Sequence, residues 1–126
     1  MRIIFGTIIP IMDDENLILY VRFFRSESGR EPVRDWLKGL RSTDRKVIGE
    51  DIKTAQFGWP IGMPLIRKLE AGLWEIRSSI PDGTARILFT VVGQSMVLLH
   101  GFVKKSQRTP APDLRTARQR LREVIQ

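Results

Sequence analysis

The sequence predicts an α+β domain: a small antiparallel sheet in the order β-α-α-β-β-β-α, with two N-terminal helices and one C-terminal helix packed on one side of it. Three observations carry this. Apolar residues recur at helical spacing between positions 33 and 55, they alternate at strand spacing from Leu73 onward, and short turns rich in Gly, Pro and Ser separate the alternating runs.

The elements follow in chain order. "LILYVRFFR" (17–25) is dense in Leu, Ile, Val, Tyr and Phe, and reads as a strand closed by Ser26 to Gly29. In "EPVRDWLKGL" the period changes: Pro32 suits a first helical turn, and Val33, Trp36, Leu37 and Leu40 fall on one face. Ser42 and Thr43 offer N-caps for a second helix from about Asp44 to Gln56, stopped near Gly58. Residues 59–72 read as a linker punctuated by Gly and Pro. "LWEIRSSI" (73–80), "TARILFTVV" (84–92) and "MVLLHGFVKK" (96–105) then form an antiparallel meander, with Pro81-Asp82-Gly83 and Gly93-Gln94-Ser95 as turns. A last helix follows Thr109-Pro110, with Leu114, Ala117, Leu121, Val124 and Ile125 on its apolar face.

One domain is expected over 17–126, with residues 1–16 as an N-terminal extension or an extra strand. The first apolar run, broken by Gly6 and Pro10 and closed by Asp13, Asp14 and Glu15, is too short to span a bilayer, which takes about 20 apolar residues. A cytoplasmic protein with no membrane partner is the expectation.

With no cysteine and one histidine, the chain has no thiolate chemistry, no disulfides and no histidine-rich metal site. No cofactor is expected. The net charge is +7, and the excess is uneven: residues 104–126 hold 7 of the 21 Lys/Arg but only 2 of the 14 Asp/Glu. A basic surface at one end points to a polyanion, nucleic acid first.

Strand alternation places Glu75 and Arg77 on one face, and His100 and Lys104 on one face of the following meander strand. If the register allows, Arg77, Arg86, His100 and Lys104 converge on an open sheet face. Each cation alone reads as a solvated or paired surface residue, and Arg86 opposite Glu75 reads as a cross-strand pair. Together they form a cluster without matching carboxylates, which calls for an anion. On an open face, Arg86→Ala is expected to leave the fold nearly intact. RNA cleavage by its own 2′-hydroxyl suits such a set: a base takes the proton, cations stabilise the phosphorane, and an acid protonates the 5′-oxygen.

"IRKLEAGLWEIRSS", "ARILFTV" and "LLHGFVKKSQRTP", in that order and followed by an amphipathic helix, resemble the RelE/HigB superfamily of toxin–antitoxin toxins, in its phage-derived HigB-like branch. The resemblance spans residues 18–124. It implies a RelE-like fold, a ribosome-dependent mRNA endonuclease (an mRNA interferase), and neutralisation by a cognate helix-turn-helix antitoxin. By the same resemblance Arg86, Arg77, Lys104, Lys105 and His100 are candidate catalytic residues. Lys68, Arg67, Lys53, Arg108, Arg115 and Arg118 are candidate RNA contacts. Several members place a tyrosine near the C-terminal end, whereas the tyrosine here is Tyr20. The general base is therefore open among Lys104, Lys105 and His100. The rival expectation is a non-catalytic RNA- or ribosome-binding module, or a phage accessory protein, on the same scaffold.

Overall fold

The computed structural model describes residues 19–60, 65–104 and 109–124. The expectation for residues 1–16 lies outside them. The elements are β1 (Tyr20–Phe23), α1 (Pro32–Lys38), α2 (Ser42–Gly58), β2 (Ile66–Glu70), β3 (Leu73–Ile80), β4 (Gly83–Val92), β5 (Ser95–Lys104) and α3 (Ala111–Val124). The α+β class holds, with one strand more than the sequence suggested.

The five strands form one sheet in the order β1-β5-β4-β3-β2. β2 through β5 are antiparallel neighbours, as the alternation and tight turns dictate, whereas β1 runs parallel to β5. The sheet is thus mixed rather than antiparallel. The long α1–α2 crossover carries the chain from one edge of the sheet to the other, which frees β1 to lie parallel beside the last strand. β2 falls inside the stretch read as a linker. It is a five-residue edge strand with a register shift between Lys68 and Glu70, and that irregularity erases the alternation that would have announced it.

Helices cover both faces rather than one. Val33 of α1 and Ile48, Ile52 and Ala55 of α2 pack on Ile76, Ile87, Phe89 and Leu98. Ala117 and Val124 of α3 pack on the other face, against Leu73, Leu88, Val97 and Leu99. Strands apolar on both sides need a layer on each.

The ends of the helices show local reasons for their positions. Pro32 opens α1, and Arg45 reaches back from α2 to donate to the Lys38 carbonyl at 3.3 Å, satisfying an otherwise open helix end. α2 begins at Ser42 with Arg41 in the cap position, so Ser42 and Thr43 are helical and not caps. Arg41 instead donates to Asp44 at 3.1 Å and to Asp82 in the β3–β4 turn at 3.2 Å, tying the helix start to the sheet end. Gly101 lets α1 approach β5: a Cβ there would run into the Trp36 ring.

Candidate functional site

A bulge decides which face the basic residues share. Phe89 pairs with Leu98 but Leu88 pairs with His100, so β5 carries an extra residue at Leu99. Before it, Leu98 faces α1 and α2. After it, the parity is inverted, and His100, Phe102 and Lys104 join Leu99 on the α3 side.

The register then builds three rows on that side. Arg67, Glu75, Leu88 and His100 form one; Arg77, Arg86 and Phe102 form the next; Ser79, Thr84 and Lys104 form the rim. The convergence expected of Arg77, Arg86, His100 and Lys104 on one face is present, and Arg67 joins them.

The face is not open, however. Arg86 and Glu75 are both 0% exposed, while Arg77 keeps 15% of its side chain accessible. Nor is a carboxylate missing. Glu75 Oε2 lies 3.8 Å from Arg86 Nη1, and Glu75 Oε1 lies 3.9 Å from Arg77 Nε. Both separations are ionic and exceed hydrogen-bond reach. The Thr109 hydroxyl donates to Glu75 Oε2 at 2.7 Å, tethering the residue ahead of α3 to the sheet. Burial pushes the Arg86 guanidinium below its ordinary pKa; Glu75 opposes that, and Arg77 and Arg67 add to it. Arg77 and Arg86 face each other directly across β3 and β4, an arrangement of like charges that is destabilising taken by itself.

His100 is held elsewhere. Its Nε2 lies 2.6 Å from Asp113 Oδ1 on α3, its Nδ1 is 3.4 Å from Arg120 Nη1, and its ring stacks on Phe102. Arginine can only donate, so Nδ1 accepts and the proton sits on Nε2, toward Asp113. Both ring nitrogens are thus engaged with α3. Arg120 also donates to the Leu99 carbonyl at 2.8 Å, and burial lowers its pKa, partly offset by Glu123.

The candidate RNA contacts separate. Arg67 stands with the buried carboxylate. Lys68, one residue on, faces the other side of the sheet, 5.9 Å from the Trp74 ring centroid, and Lys53 on α2 lies 6.0 Å from that of Phe57. Arg118 is clamped by Glu70 through two bonds of 2.6 and 3.1 Å, which raise its pKa, while Arg115 is exposed. Lys104 is exposed at the rim; Lys105 and Arg108 lie outside the described residues. Among the described residues, no group of three His, Cys, Asp or Glu side chains could hold a metal ion, and no helix is long and apolar enough to cross a membrane.

Residues 35–122, from α1 to the last turn of α3, match the family described as phage derived protein Gp49-like (DUF891). The chain belongs to that family. The match takes in β2 to β5 and the Glu75–Arg86 cluster, and leaves out β1. No curated protein matches the chain.

The cross-strand pairing of Arg86 with Glu75 read from the sequence is present, but buried rather than at the surface. Sequence reasoning did not place Glu75 in the site, and it passed over Thr109, Asp113 and Arg120. Asp113 and Arg120 had no signal, because nothing in a helix sequence says which strand it will cross.

Proposed function

We propose that the protein is the toxin of a type II toxin–antitoxin pair, an mRNA interferase of the phage-derived HigB-like branch of the RelE/HigB superfamily. Membership of the Gp49-like family, which stands in the toxin–antitoxin context, supports this. The observation that carries the chemistry is the Arg77–Arg86 row, flanked by Arg67 and by Lys104 at the rim.

In this reading the scissile phosphodiester lies over that row. A base removes the 2′-hydroxyl proton, and the oxyanion attacks phosphorus. Arg77 and Arg86 stabilise the added charge, and an acid protonates the departing 5′-oxygen, leaving a 2′,3′-cyclic phosphate. Lys104 is the favoured base because it is exposed on the right face, whereas both ring nitrogens of His100 are engaged by Asp113 and Arg120. No cofactor takes part. The mRNA is presented by the ribosome, and a cognate helix-turn-helix antitoxin neutralises the basic surface.

Complete burial of Arg86 favours a second reading, a non-catalytic RNA- or ribosome-binding module, since a phosphate reaches a closed-off guanidinium only if the cover moves. Purified protein added to ribosomes translating a defined mRNA separates the two. Cuts are expected in the all-ribose message, and none at the same position once it carries a 2′-deoxy substitution. Cleavage of the deoxy message would contradict 2′-hydroxyl attack, and an intact all-ribose message would leave the binding module.

A further inference from the structure

Glu75 is the point at which the basic row and the approach to α3 meet. Its carboxylate is fully buried, lies between Arg77 and Arg86 at ionic distances, and accepts the Thr109 hydroxyl. Arg67 stands beside it in register on β2. Two guanidiniums thus lie at ionic distance from one carboxylate, with the exposed Arg67 on the neighbouring strand. At 3.8 and 3.9 Å the carboxylate attracts both arginines, and this attraction sets their position. Thr109 lies two residues ahead of α3, so the same carboxylate also anchors the approach to that helix.

Resting on the proposed endonuclease activity, we propose that Glu75 is a positioning residue: it holds Arg77 and Arg86 in line for the phosphorane and, through Thr109, anchors the approach to α3. Its negative charge weakens the affinity of the site for RNA and in return orders the groups that act in the transition state. Binding and turnover should therefore respond in opposite directions, which a loss of structure alone does not produce.

Glu75→Gln keeps the shape and an acceptor for Thr109 but removes the charge. Bound to a short 2′-O-methyl RNA, which has no hydroxyl to attack, this variant should be tighter than wild type by about threefold or more, as expected for one charge removed from a partly screened site. Its cleavage of ribosome-bound mRNA should be slower by about tenfold or more, the signature of an interaction made in the transition state. Thr109→Val keeps every charge. It should lower turnover by about fivefold, the size of one lost hydrogen bond, with RNA affinity unchanged.

A folded Glu75→Gln that binds the 2′-O-methyl RNA no more tightly than wild type, or that cuts as fast, overturns the proposal. If Glu75→Gln does not fold, Thr109→Val decides, and wild-type turnover there overturns it. If wild type cuts nothing, the endonuclease reading fails by itself, and the binding comparison alone decides whether Glu75 tunes an anion site.

Discussion

Arg86 Nη1 and Glu75 Oε2 sit 3.8 Å apart with neither side chain reaching solvent, and that burial sets what a substitution at either position does. Truncating one partner of a buried ion pair leaves the other charge uncompensated, at a cost of about 3–5 kcal/mol. Arg86→Ala should therefore lower the urea midpoint strongly, against the near-neutral effect an open sheet face would give; an unchanged midpoint would show that the pair is not buried in solution. Arg77, 15% accessible, is the better probe of function, because Arg77→Gln removes a cation and leaves Arg86 with Glu75. Gly101 is constrained for a different reason. Gly101→Ala places a methyl in the Trp36 ring, and overpacking of this kind costs about 1–3 kcal/mol, which thermal unfolding will read. The candidate cations were legible because charge in an apolar strand stands out. Their burial was not: Glu75 and Arg77 alternate with Trp74 and Ile76 as solvent-facing residues do, and only the folded chain makes the face an interior.

Polar clasps fasten α3 to the sheet, among them His100 to Asp113 at its N-terminal end and the bidentate Arg118–Glu70 pair further along. The first is partly shielded, and hydrogen bonds to charged groups contribute about 1.5–3 kcal/mol. Asp113→Ala should speed amide hydrogen exchange in α3 while β4 and the rest of β5 keep their protection; uniform loss across the sheet would mean that the helix is no separate unit. The bulge at Leu99 matters as much as either clasp. Simple alternation over "MVLLHGFVKK" would put His100 and Lys104 on the side of Leu98, under α1 and α2, and one extra residue turns them toward Arg77 and Arg86. Strand existence was readable from β-branched and aromatic runs. The bulge, the short β2 edge and the side each helix takes were not, since all three depend on contacts between distant segments.

Across the molecule, basic side chains gather around the α3 face: Arg67 at the β2 edge, Arg77 and Arg86 in the sheet, Lys104 at the rim, Arg115 and Arg118 on the helix. Affinity for single-stranded RNA drawn from such a surface should fall with salt, with a log–log slope of about −0.7 for each phosphate neutralised, and a flat salt profile would point to a protein partner instead. Folding brings these basic side chains to one face, while Lys53 and Lys68 on the other face stand over aromatic rings apart from them. The central claim, that this face cuts translated mRNA, is tested most directly by inducible expression in a bacterial host, wild type beside Arg77→Gln, with primer extension on a translated reporter. The account predicts growth arrest with discrete cuts in the wild-type culture, and uncut reporter with normal growth in the variant. Full-length reporter in cells holding folded wild-type protein would contradict it.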